Sequence, residues 1–156
     1  MAHANLADWI EKHNEDLTSR WIDAVRADAR IQSDSDLSQD GLRNHIPAVI
    51  DEICDLMRSD EYPTLVNTRE ARVHAYVRFR QGYRARELVR ELSLLRLKLL
   101  DHLAASLSDE SLAVTVEAYT SAVRLVDLYV DEEMSYAVSV YAEVMRAIEK
   151  ETADEH

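Results

Sequence analysis

The chain has 156 residues and a formal net charge of −12, with one cysteine, two glycines and two prolines. The lone Cys54 excludes an intramolecular disulfide and a multi-cysteine metal site. The acidic balance argues against nucleic acid, which demands a basic footprint, and no window approaches the ~20 apolar residues of a membrane span.

Few turn-forming residues and an abundance of Ala, Leu, Glu and Arg indicate one all-α domain over residues 1–156. Asp8, Glu11 and Lys12 break any leader-like apolar run, so a cytoplasmic protein is expected. Residues 5–30 read as the first helix, with Leu6, Ile10, His13, Leu17, Trp21 and Val25 at three- and four-residue steps. Ser33-Asp34-Ser35-Asp36 is a polar break, and Ser38 can cap the next helix.

That second helix is expected over about 39–58, with Leu42, Ile46, Val49, Ile53 and Leu56 on one face. Pro47 either kinks it or marks a helix proper that begins near His45. Cys54, between Ile53 and Leu56, reads as a small core hydrophobe. A third helix spans roughly 68–81, with Val73, Tyr76 and Val77 as its apolar contacts, and Gly82 ends it or bends it into the next. The fourth covers about 84–106.

The fifth helix is expected from 109 to 150, a run free of Gly and Pro. Its stripe of Leu112, Val116, Tyr119, Val123, Val126, Val130, Met134, Ala137, Tyr141, Val144 and Ile148 is close to heptad spacing. Such a helix, longer than the ~30–40 Å width of a globule this size, either pairs with a second copy or breaks near Asp131-Glu132-Glu133. Val123, Val126, Val130, Met134 and Tyr141 are the expected dimer seam, and the charged end, the last eight or so residues above all, is expected to fray.

Six histidines raise the question of metal or haem. His3 and His156 lie at the ends, and His13, His45, His74 and His102 fall on separate helices. There is no Glu-x-x-His and no His-x-x-x-His of the kind that helical metal sites use, so no metal is expected. His74 and His45 are the candidates for an axial haem ligand, against the plainer role of hydrogen-bonded core histidines. No phosphate loop, nucleophile elbow or Cys–His pair in a recognisable context is present, so neither catalytic residues nor a cofactor are expected.

The segment from Arg69 to Lys98 departs from the rest. It holds nine of the eighteen basic residues against three acids, a local charge of +6 that leaves −18 elsewhere, and it runs into a leucine-rich helix. A helix that apolar is buried, and an isolated buried charge costs several kcal/mol. Glu91 and Arg96 therefore either pair across helices, with Arg78 the first candidate for Glu91, or share one solvated edge.

His74-Ala75-Tyr76-Val77-Arg78, Gln81-Gly82-Tyr83 and Glu87-Leu88-Val89-Arg90-Glu91, followed by Leu95-Arg96, form an ordered set. In it the chain resembles the helical N-terminal sensor domain of the RsbRD type, which precedes histidine kinase or RsbR-like stress-response modules. The resemblance implies a regulatory domain without catalytic residues, dimeric, and either a five- or six-helix bundle or a non-haem globin-like fold. It also implies an output module in cis or in trans. The expected mechanism is a shift between paired C-terminal helices, with His74, Arg78, Tyr83, Glu91 and Arg96 as the polar set holding one state. The alternative is a sensor that binds a small molecule, haem or another tetrapyrrole.

Overall fold

The computed structural model describes residues 2–155, with side chains from Ala4 onward. His156 and the His3 side chain lie outside the described residues. The chain forms helices α1 (Ala2–Lys12), α2 (Asn14–Ala27), α3 (Gln39–Arg43), α4 (Ile46–Ser59), α5 (Arg69–Arg80), α6 (Ala85–Ser106) and α7 (Val116–Asp154), with a 3-10 turn at Glu110–Leu112. No strand occurs among the described residues. The fold is an all-α bundle in which α7 lies along α6, α1 lies along α4, and α2 packs on both α4 and α6.

The single first helix expected from the stripe is two helices. Its break at His13 has no Gly or Pro to announce it. The His13 Nδ1–H donates to the Trp9 carbonyl at 2.7 Å, and the Asn14 amide donates to the Pro47 carbonyl and to Asp51 at 2.9 and 2.8 Å. A tertiary contact therefore sets the bend, and both halves keep one buried stripe: Leu6, Ile10, Leu17, Trp21 and Val25 are all in the core.

The second expected helix also divides. Ser38 caps α3 by accepting from the Gly41 N–H at 3.0 Å. The chain then turns through Asn44 at φ 44°, ψ −125°, and α4 starts after His45 with Pro47 in its first turn. Pro47 thus serves as a helix start, where its missing N–H costs nothing. Cys54 is buried in the core, and burial pushes its thiol up to about 12.

α5 hides a face other than the one its apolar residues mark. Ala71, His74, Ala75 and Arg78 are buried, whereas Tyr76 is 56% exposed and Val73 and Val77 are half-buried. Gly82 ends it at φ 84°, a conformation open to glycine. There the Tyr83 N–H reaches the Arg78 carbonyl and the Gly82 N–H the Phe79 carbonyl, both at 3.1 Å, which satisfies the last carbonyls of the helix. Glu87 accepts the Arg84 N–H at 3.0 Å and so caps the start of α6.

α7 starts at Val116, later than expected, capped by Thr115, and runs 39 residues without a break at Asp131-Glu132-Glu133. At 1.5 Å per residue it is about 58 Å long. It is helical to Asp154, including the end where fraying was expected, and from Met145 onward every described residue is exposed. A main core joins α1, α2, α4, α6 and the N-terminal half of α7. A second cluster of Ala75, Leu88, Leu92, Val130 and Ala137, flanked by Met134 and Tyr141, fills the space between α5, α6 and α7. Among the described residues, no helix is long and apolar enough to cross a membrane.

Candidate functional site

His74 and Arg78 stand one turn apart on α5, which places both side chains on the same face. Glu91 of α6 meets them. The side chains of all three are 0% exposed. The Arg78 Nε–H donates to both Glu91 oxygens, at 2.9 and 3.1 Å, and His74 Nε2 lies 3.1 Å from Oε1. The remaining Arg78 donors reach the Gly41 carbonyl at 3.0 Å, Gln81 Oε1 at 2.7 Å and the Leu42 carbonyl. Gly41 and Leu42 lie in the last turn of α3, where carbonyls lack helical partners and a cation is favoured. One guanidinium thus neutralises a buried carboxylate and closes a helix end.

The His74 proton is placed by its partners. The Asn44 amide nitrogen donates to Nδ1 at 2.9 Å, so the neutral ring carries its proton on Nε2 and gives it to Glu91. Burial pushes the imidazole below its usual range, with the Glu91 hydrogen bond opposing that shift. Asn44 does this from a positive-φ backbone that costs a non-glycine residue about 1–3 kcal/mol. The cluster over-determines that conformation by holding its neighbours Gly41 and Leu42.

Aromatic rings enclose the set. The Arg78 guanidinium lies 4.9 Å from the Tyr83 ring centroid and 6.0 Å from that of Trp21. The Trp21 indole N–H donates to the Glu91 backbone carbonyl at 3.0 Å. The Tyr83 hydroxyl is buried with no hydrogen-bond partner among the described residues, and burial, then the Glu91 carboxylate, pushes its ionisation upward. The backbone of Tyr83 reaches α7, because its carbonyl accepts from the Tyr141 hydroxyl at 2.8 Å. Phe79 packs edge-on against the same Tyr141 ring.

Of the polar set expected from the sequence, His74, Arg78, Tyr83 and Glu91 converge. Arg96 does not: it faces outward and meets Asp131 at 3.2 Å on the surface. Glu87 and Arg90 do not pair with each other. Glu87 accepts from the Gln32 and Ser33 N–H groups and the Ser33 hydroxyl, at 2.7–2.9 Å, while Arg90 meets Asp28 at 2.6 Å. Burial opposes the ionisation of Glu87, yet the backbone donors hold it down to about 2.

The residues expected at a dimer seam lie along the packed part of α7. Val126 and Val130 are buried within the domain, whereas Val123, partly buried, packs on the main core and Met134 and Tyr141, also partly buried, pack on the second cluster. The middle of the heptad-like stripe, from Val123 to Tyr141, packs on the chain's own helices, whereas Val116 and Ile148 at its two ends are 82% and 52% exposed. The haem candidates are placed as plainly. His74 has both ring nitrogens engaged and none to offer iron, and His45 is a partly exposed residue 3.8 Å from Glu70. Among the described residues, no group of three or more His, Cys, Asp or Glu is arranged to hold a metal ion.

Trp21, Asn44 and Tyr141 are the members of this site that sequence periodicity does not reveal. Trp21 and Tyr141 read as apolar stripe, and Asn44 as a residue inside a helix. Their polar atoms matter through partners 30–70 residues away.

No curated protein and no solved structure matches the chain. Residues 15–156 match the family model described as RsbT co-antagonist protein rsbRD N-terminal domain. That range takes in every residue of the buried cluster and the whole of α7. By that match the chain belongs to the rsbRD N-terminal domain family, a family of regulatory domains in stress-response signalling.

Proposed function

We propose that this domain is a non-enzymatic sensor of bacterial stress signalling that forms a homodimer and passes its state along α7 to an output module, in cis or in trans. The observation that carries this reading is the course of α7. The helix is anchored to the body as far as Tyr141, whose hydroxyl holds the Tyr83 carbonyl, and leaves it within about one turn. The projecting part still carries Met145 and Ile148, 55% and 52% exposed, and Val138 is exposed two turns before Met145. Apolar residues at that spacing suit a helix that pairs with another, and they replace the buried stripe as the dimer seam.

The buried cluster supplies the two-state element. It joins the α3–α4 turn, α5 and α6 at one point and reaches α7 through Tyr83, so a change at any of these tilts or slides the projecting helix. Sedimentation velocity at tens of micromolar tests the reading. A dimer is expected, with Ile148→Glu and Met145→Glu converting it to a monomer of unchanged helix content. A wild-type protein that stays monomeric removes the mechanism.

A small-anion sensor is the second reading, favoured by one feature. Arg30, Arg86 and Arg90 line an open cleft of about 490 Å³ beside the α2–α3 loop. Asp28 already engages Arg30 and Arg90, so Arg86 is the residue to change. Titration calorimetry with inorganic phosphate is expected to give heat that Arg86→Ala removes, and no heat in the wild type dismisses this reading.

A further inference from the structure

Near the middle of α7, Glu133 is 1% exposed, and neither of its carboxylate oxygens has a hydrogen-bond partner among the described residues. Such a group is costly as an anion, because burial removes its water and nothing replaces it. Its surroundings deepen the cost. Glu52 of α4 faces the same region and takes the donors available there: the Tyr129 hydroxyl at 2.6 Å and the Glu70 N–H at 3.1 and 3.2 Å. Glu132 adds a second negative charge from the same helix.

Arg72 of α5 is the cation that acts on Glu133, and it is otherwise engaged. It donates to the Thr68 hydroxyl at 2.9 Å and lies 5.8 Å from the Tyr136 ring centroid. From α6, Arg96 is turned to Asp131 at the surface, and Glu91 is held by Arg78 and His74. His45 sits with Glu70 beyond Glu52. Among the described residues no set of ligands for a metal ion is assembled around it. A closed carboxyl group of this kind has room for one ligand, the proton.

We propose that Glu133 is a proton-binding site that couples pH to the packing of α7 against α4 and α5. The neutral acid lets α7 lie flat on its neighbours. When it ionises, the new carboxylate must draw Arg72 away from Thr68 and Tyr136 or move toward water, and either response loosens α7 at the point where the second cluster begins. Burial first, with Glu52 and Glu132 adding to it against Arg72, raises the midpoint to about 8, so the change falls within a physiological range. Only the consequence for an output rests on the reading of α7 as the signalling helix; the titration belongs to the domain alone.

The sign is fixed by linkage. A carboxyl whose midpoint rises from 4.5 to about 8 on folding makes the fold less stable as pH climbs between those values. Wild type and Glu133→Gln are therefore expected to melt nearly together near pH 5 and to separate progressively as pH climbs toward 8. The gap should then level off, with Gln the more stable by ~5 °C or more at pH 9. Carbon-13 NMR of the wild-type glutamate carboxyls should show one group titrating near pH 8, absent in Glu133→Gln and shifted down in Glu52→Gln. At pH 9 the amides around residue 133 should exchange faster in the wild type than in Glu133→Gln, with no difference at pH 6. A midpoint for Glu133 in the ordinary carboxylate range, parallel melting curves, or equal exchange at pH 9 overturns the inference even if the protein is a dimer. A titration near pH 8 with faster exchange in a monomeric protein upholds it and sinks the dimer reading instead.

Discussion

Glu91 is buried in the middle of a leucine-rich helix, with Arg78 and His74 as its side-chain partners. Removing one member of a buried ion pair leaves the other uncompensated, which costs about 3–5 kcal/mol. Glu91→Gln is expected to lose that much in urea unfolding, while Arg96→Met, whose pair with Asp131 is open to water, should stay within about 1 kcal/mol. Glu87 gives a pH signature of its own. Its carboxylate is held at about 2, below its ordinary 4.5, so its contribution is complete above 4.5 and lost as pH falls toward 2. Glu87→Gln should flatten the acid limb of a stability–pH curve and free the loop at Gln32 and Ser33. The cross-helix partner of Glu91 was legible from charge and burial, since a carboxylate there needs a base and Arg78 lies on the preceding helix. Arg96 was not separable from it, because a position on a helix this apolar does not reveal which edge meets water.

Helix types and rough extents could be read from periodicity, but the joints between helices could not. Gly82 and Pro47 are the exceptions: a glycine at the end of a helical pattern marks a C-terminus and lies there at φ 84°, and the proline marks the start of α4 just after His45. Gly82→Ala should cost about 1 kcal/mol in thermal unfolding through that backbone alone, as no side chain crowds the site. The breaks at His13 and Asn44 arise from contacts with Pro47, Asp51, His74 and the carbonyls that Arg78 collects. α5 shows the same limit in reverse. Its apolar residues Tyr76, Val73 and Val77 face partly outward because the buried face is needed for His74 and Arg78.

Across the whole molecule, α7 divides between a packed part and a projecting part. Among the described residues, truncation after Val144 removes only exposed ones, and it is expected to leave the melting temperature within a few degrees. On the dimer reading it should abolish self-association, measured by light scattering. A truncated chain that still dimerises would move the interface onto the body of the domain. The sequence by itself determined the all-α class, a Gly- and Pro-free helical run at the C-terminal end and the family, because periodicity, the scarcity of Gly and Pro and an ordered motif are local properties of the chain. Only the tertiary structure decided that α7 is unbroken, which face of it is used internally, that the first expected helix bends at His13, and that Glu133 is buried without a hydrogen-bond partner among the described residues. Those outcomes depend on what stands opposite each side chain, and a stripe of apolar residues does not say whether its own chain or another copy will cover it.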